Sequence, residues 1–469
     1  MRLLIIIAGF LIPILNAYGN DSLMTLSFDE FFKVVKKFHP VAKQAAIQVS
    51  KANAELISAR GGFDPAIESR VNSKTFDGLN YFQNSSLQLN IPTWYGIELR
   101  SGMEYLSGNR TDPAGTLGQT SFTGISIPLA KNLLMDKRRA VLQQAKIMVN
   151  ASEQEMKIIL NDLMKEAAES YWNWTQSYLV YKSYILVIEL NKRRIEMVKS
   201  AFRIGEKAAI DTTEAISQLQ AFEYLQNESL LTWKNATVEL SNFLWKENNE
   251  VYDLTLDNIT PNKKTEELFD AVIFPELEQL ISSAMSAHPE LLKYNYHLDV
   301  LSVDKKLKFQ ELLPELNVAY NQLGSGYNVV STSVKPFFEN NYRFGVNFSM
   351  PLRLSQGRGA YKIAKLKITE TQLELDRKEI QVVNSIKAYY NRLVNYKLQL
   401  NLLQKTYANF LQLQKGEEIR FFNGESTLFL VNNRENKAQE TLIKLTEAAI
   451  NYNKTAVSLR WSAGELWKL

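Results

Sequence analysis

The chain has 469 residues, with 54 basic and 50 acidic side chains, a net charge of +4, three His and no Cys. Near charge balance excludes a dedicated polyanion binder, and the missing Cys excludes disulfide staples, thiolate ligands and a thiol nucleophile. No paired carboxylates, nucleophile elbow or metal-ligand spacing stands out, so the sequence predicts a non-enzyme with no cofactor and no metal.

At the N-terminus, Arg2 precedes an apolar run from Leu3 to Leu15 that is broken by Pro13, and Ala17-Tyr18-Gly19 follows. This pattern is that of a cleaved secretory signal covering residues 1–19. No Cys follows the run, so nothing supports a lipid anchor. Later segments hold no stretch of about 18 apolar residues, which excludes a transmembrane helix.

Leu26 to Arg60 reads as one helix with Pro40 in its early part, and Gly61-Gly62-Phe63-Asp64-Pro65 stops it. The apolar period then drops to two. Ser86 to Ile91 alternates, and Ile97 to Leu106 sets Ile97, Leu99, Met103 and Tyr105 against Glu98, Arg100 and Glu104. Thr123, Ile125, Ile127 and Leu129 form a further strand face. Pro92 to Gly96 is a turn, and Asn109 to Gln119 a polar loop. From about Asp136 to Val198 the helical period returns, for roughly 90 Å at 1.5 Å per residue. The turn Phe202-Arg203-Ile204-Gly205-Glu206 follows, and Asp211 to Trp245 runs back. A charged, Asn-rich linker occupies residues 247–274.

The plan then repeats. Pro275 to Leu313 is helical, Leu316 to Asn321 alternates, and Tyr342 to Leu352 is the cleanest strand. A long helix reaches Phe422, with Ile386, Tyr390, Leu393, Leu400, Leu403, Tyr407 and Phe410 at near coiled-coil spacing. Phe422-Asn423-Gly424-Glu425 turns the chain, and Thr427 to Trp467 returns. His39-Pro40 recurs as His288-Pro289 and Pro65 as Pro314, 249 residues apart, whereas Tyr171, Gly205 and Glu206 recur as Tyr390, Gly424 and Glu425, 219 apart. Ile127-Pro128-Leu129 matches Met350-Pro351-Leu352 at a spacing of 223. The first half therefore holds 26 extra residues among its strands, enough for one more hairpin at about 5–6 residues per strand. The reading is one of two repeats, 20–246 and 275–469. Strands fall at about 64–130 and 314–352, and long helical hairpins at about 136–246 and 357–467.

Two-faced strands without an apolar helix enter a membrane only as a closed barrel, and the smallest outer-membrane barrels use about 8 strands. Two strands from each half, with more from the first, are too few, so a barrel must be shared by several copies. A water-soluble β-domain with one face on a core shows the same period, and a coiled-coil stalk shows the same long helices.

The order of these motifs, given twice, resembles the TolC-type outer-membrane efflux proteins over the whole mature chain. The carriers are His39-Pro40 and His288-Pro289, the strand ends Ile127-Pro128-Leu129 and Met350-Pro351-Leu352, Tyr171-Trp172 and Ala388-Tyr389-Tyr390, and the tip Arg420-Phe421-Phe422-Asn423-Gly424-Glu425. The resemblance implies an α+β membrane protein of duplicated build. It implies a homotrimer in which each subunit gives four strands to one transmembrane β-barrel and long coiled-coil helices cross the periplasm. It implies outer-membrane lipid around the barrel, and a periplasmic adaptor and an inner-membrane pump as partners, with no nucleic acid. Tip, gate and adaptor-contact candidates are Arg203, Gly205, Glu206, Asp211, Arg420, Gly424 and Glu425; lumen-facing candidates are Glu98, Arg100, Glu104 and Arg343. In a symmetric oligomer Glu206, Asp211 and Glu425 repeat as rings of like charge, although a carboxylate at a helix start is also favoured by the helix dipole. Ala201 stands where the family's first tip carries Arg, leaving Arg203 a near match. The rival readings are a periplasmic coiled-coil adaptor or scaffold and a secreted enzyme.

Overall fold

The computed structural model describes residues 24–252, 254, 259–262 and 275–469. The secretory signal at 1–19 and most of the 247–274 linker lie outside these residues. Two compact units are present, and each draws on both halves of the sequence.

The first unit comprises the described parts of Met1–His39, Glu166–Ile273 and Arg392–Val457. Strand β1 (Met24–Leu26) leads into α1 (Phe28–Phe38), whose start is fixed by a capping box: Ser27 Oγ accepts from Glu30 N, and the Glu30 carboxylate accepts from Ser27 N. Phe31, Phe32 and Val35 are buried on one face of α1, and Phe31 packs on Tyr171 with ring centroids 5.3 Å apart. Tyr171 and Trp174 are wholly buried, and the Tyr171 hydroxyl donates to Leu26 O at 2.9 Å. Tyr171 thus ties the long helix α3 (Lys137–Arg203) to the strand that precedes α1. Tyr390 of the second half is only half-buried. The return arm α4 (Ala209–Ser241) packs Phe222 against Tyr184, Val187 and Ile188 of α3. The short strand β6 (Ile259–Pro261) pairs in parallel with β1.

The second unit comprises Pro40–Lys165, Phe274–Asn391 and Ser458–Leu469. Each of the two leading helices expected to be continuous is a pair. The breaks fall at His39, between α1 and α2 (Pro40–Gly61), and at His288, between α5 (Leu277–Ala287) and α6 (Pro289–Gln310). Both His residues carry extended ψ angles, 134° and 123°. The cause is local: the ring of a following Pro clashes with a helical residue before it, while Pro itself suits a first helical turn.

The unit's sheet is a six-stranded antiparallel meander in the order β2 (Ala66–Phe76), β3 (Leu79–Pro92), β4 (Glu98–Ser107), β5 (Gly118–Pro128), β7 (Glu315–Ser325), β8 (Tyr342–Ser349). The first half gives four strands and the second two. The sheet thus has six strands where the resemblance implies four. Strands β2 and β3 form a hairpin whose two-residue turn, Asp77-Gly78, has φ of 51° and 73°. Two positive φ values make the turn that matches strand twist. The 26 extra residues thus lengthen the sheet itself. Between β7 and β8 lies the five-residue helix α7 (Val329–Ser333).

The other long hairpin is α8 (Ser355–Phe422) with α9 (Leu428–Ser462). Like α3, α8 contains no Pro, and its glycines, Gly357, Gly359 and Gly416, lie in its first and last two turns, so no residue in its 68 forces a break. Both α3 and α8 pass from the second unit into the first.

Candidate functional site

The strand registers sort the side chains of the sheet by charge. Glu68, Arg70, Lys74, Glu98, Arg100, Glu104, Glu315 and Arg343 all fall on one face. These are all the charged residues of the six strands. The opposite face carries none. There, Ile67, Leu89, Ser101, Thr123, Gln322 and Tyr342 lie in one row, and Leu99, Ile125, Tyr320 and Phe344 in another. One face of the sheet therefore carries eight charges and the other none.

The four lumen candidates share the charged face and are interlinked. Glu98 accepts from Arg100 Nη2 at 3.0 Å and from Arg138 Nη2, at the start of α3, at 2.6 Å. Arg343 Nη2 on β8 reaches Glu104 Oε1 on β4 at 2.6 Å. Two strands intervene, a lateral separation of about 14 Å at ~4.8 Å per strand. Closing that distance requires the sheet to curl with its charged face on the concave side. Gly124 sits on that face under Asn321, where a Cβ would overlap Asn321 Oδ1. Strand approach there depends on its missing side chain.

On the charge-free face, the end remote from α3 is polar, and α7 lies over it. Ser101 Oγ and Thr123 Oγ1 are 2.8 Å apart, Thr123 Oγ1 and Ser333 Oγ 2.8 Å, and Ser121 Oγ and Thr332 Oγ1 2.9 Å. The hydroxyls satisfy one another, while Val330 and Val334 point outward, about three-quarters exposed. A polar patch on this face is thereby exchanged for an apolar one. Phe337 and Phe338 pack on Tyr320, and Trp94 stacks on Phe63 at 4.2 Å.

The tip candidates lie at the two helical turns of the first unit. Gly205 and Gly424 have φ of 81° and 77°. Each closes its helix with the same pair of bonds: Gly205 N to Phe202 O and Glu206 N to Ala201 O, then Gly424 N to Phe421 O and Glu425 N to Arg420 O. This is the Schellman arrangement, which satisfies carbonyls that a helix end leaves bare. Asp211 accepts from Ala208 N at 3.1 Å, a helix-start bond. Arg203 and Glu206 are exposed. Arg420 faces Glu417 at 3.6 Å and Glu425 at 4.0 Å. The two turns are brought together by Lys207, whose Nζ lies 4.1 Å from the Phe421 ring centre. A core of Ile195, Val198, Ala215, Phe421, Leu428 and Val431 sits behind them. Ile204, Ile210, Phe422 and Phe429 remain more than half exposed around the turns.

One cluster was not foreseen. Arg194 of α3, buried at 6% exposure, binds Glu435 of α9 at 1% exposure and Glu418 of α8 at 2.9 Å. Asn191 Nδ2 adds a bond to Glu435 at 3.0 Å. Its signal was present: Val187, Asn191, Arg194 and Val198 step by 4, 3 and 4, so two polar residues occupy an apolar seam. Below the turn, Glu417 accepts from Ser426 Oγ at 2.6 Å.

His288 is helix-capping. Its Nδ1 accepts from Glu290 N at 3.2 Å. Burial pushes its pKa below the ordinary imidazole value. His39 is shifted the same way by burial and packs on Phe243 and Trp245. Among the described residues no group of three or more His, Asp or Glu is arranged to hold a metal ion, and no helix is long and apolar enough to cross a membrane.

The fold is that of solved outer-membrane channels. The CmeC outer membrane channel of Campylobacter jejuni superposes with a TM-score of 0.64 at 14% identity, covering 93% of this chain and 85% of that one. The outer membrane protein VceC of Vibrio cholerae gives 0.63 at 11%, covering 93% and 95%. The MtrE outer membrane channel of Neisseria gonorrhoeae, in its open state, gives 0.63 at 11%, covering 93% and 89%. No protein-family model and no curated protein sequence matches the chain.

Proposed function

We propose that this chain is the subunit of an outer-membrane channel, a passive exit duct of a tripartite efflux or type I secretion system. The observation that carries the reading is the segregation of all eight strand charges onto one concave face of the sheet. In a barrel that face lines water and the uncharged face meets lipid. The unpaired outer strands require further copies to close the wall, and the resemblance supports three. Substrate passes a lumen carrying Glu98, Arg100, Glu104 and Arg343, and the energy comes from an inner-membrane pump. The chain performs no chemistry on its cargo.

The helical turns are the proposed gate and adaptor contact. The exposed apolar residues Ile204, Ile210, Phe422 and Phe429 support docking. Arg203, Gly205, Glu206, Asp211, Arg420, Gly424 and Glu425 are the proposed contact and gate residues. In a symmetric oligomer Glu206 and Glu425 form acidic rings that favour cations.

Outer-membrane fractions resolved by electrophoresis test the reading. A heat-modifiable oligomer is expected, and recovery as a soluble periplasmic monomer overturns it. In planar bilayers, Glu206→Lys is expected to change conductance or cation preference. Unchanged conductance returns Glu206 to a structural role at the turn.

A further inference from the structure

We infer that the barrel seam runs from β8 of one copy to β2 of the next, so that the β2–β3 hairpin belongs to the wall and each copy supplies six strands. The inference rests on the channel reading above and deepens it. Every residue of β2 and of β8 is exposed, and these two carry the free edges of the six-stranded sheet. In lipid, a free edge leaves a row of N–H and C=O groups without partners, so both edges must be covered.

A second copy of this chain fits both edges. β2 runs outward from α2, and β8 runs back toward α8, so β8 beside the next β2 is antiparallel, as is every other pair in the sheet. The faces also continue. Val346 and Phe348 of β8 extend the uncharged face toward Ile67 and Val71 of β2, while Arg343 extends the charged face toward Glu68 and Arg70. The alternative is a hairpin projecting from a wall of four strands per copy. It requires β4 to be the seam strand, yet β4 is bonded along its length to β3 on one side and β5 on the other. It also carries Glu68, Arg70 and Lys74 out of the lumen.

Three copies then give 18 strands. Barrel diameter grows roughly in proportion to strand number, so this wall is about 1.5 times as wide as one of four strands per copy. Barrels of 16–18 strands leave an open aqueous channel.

The absence of native Cys makes the seam directly testable in the full-length chain. Val346→Cys is combined with Ile67→Cys, Ser69→Cys or Val71→Cys on β2, and separately with Leu99→Cys, Ser101→Cys or Met103→Cys on β4. After oxidation in outer membranes, disulfide-linked oligomers are expected from the β2 set and none from the β4 set. Links through β4, or assembled oligomers that link through neither set, overturn the seam. A cryo-EM reconstruction of the unmodified oligomer provides a count independent of substitutions: six strands per copy supports the inference and four overturns it. A chain recovered only as a monomer overturns the channel reading itself.

Discussion

Arg194 and Glu435 face each other as two planar forks, Nη1 to Oε2 and Nη2 to Oε1, both at 2.9 Å, where α3 meets α9. A paired fork adds directionality to charge, and burial removes water as an alternative partner. Removing one member strands the other. Arg194→Met alone is expected to destabilise by roughly 3–5 kcal/mol, whereas Arg194→Met with Glu435→Leu recovers most of the loss, because apolar replacements of a buried pair are often near neutral. Thermal melts of the detergent-purified protein check both. Equal losses in single and double variants contradict this account.

Gly424 and Gly464 share a left-handed conformation, with φ of 77° and 70°, but differ in surroundings. Nothing lies within 4 Å of a Cβ at Gly424, while at Gly464 a Cβ would stand 2.6 Å from Pro289 Cδ. Gly424→Ala is expected to cost about 1–2 kcal/mol, the conformational penalty alone. Gly464→Ala adds a steric overlap and is expected to cost more. The ordering is read from melting midpoints measured side by side.

Val346 and Asn347 are neighbours on β8 with opposite faces. Val346→Arg puts a guanidinium on the uncharged face, where mid-membrane Arg or Lys costs about 2–4 kcal/mol. Asn347→Arg adds the same group to the charged face. Loss of the assembled outer-membrane species is expected for the first and not for the second. Similar assembly of both variants contradicts the assignment of faces.

Stability is expected to fall as pH drops below about 6.5. Burial holds His288 below that free-imidazole value, and burial outweighs the opposing pull of Glu290 and Asp162. Between the lowered native pKa and 6.5 the unfolded chain binds more protons than the native one, so stability rises with pH there. Protonation also removes the Nδ1 acceptor that caps α6. His39 contributes with the same sign. His288→Asn retains a capping acceptor without titrating, so the drop in melting temperature between pH 7.5 and 5.5 is expected to shrink. An unchanged drop assigns the pH response elsewhere.

Periodicity separated the long helices from strands β4, β5, β7 and β8, because a step of two and a step of 3.6 reflect backbone geometry alone, while β1, β2 and α7 went unmarked. The same local rule exposes Gly205 and Gly424 as turn residues. The breaks at His39 and His288 run against the expectation of continuous helices, although a Pro disfavours helical geometry in the residue before it and so marks both places locally. The β2–β3 hairpin was legible only as 26 surplus residues, although Asp77-Gly78 between two alternating runs is a direct hairpin signal.

The long helices and the two-faced character of the strands follow from residues within one turn or one pleat of each other, and the doubled plan from motifs recurring in the same order. The remaining relations come from long-range packing. The registers put eight charges on one side of one sheet, the Arg343–Glu104 contact reveals which side is concave, and Arg194 meets a carboxylate 241 positions away. Those relations depend on strand neighbours and helix partners chosen by long-range packing, and a one-residue slip in any register would reverse a face without altering a letter of the sequence.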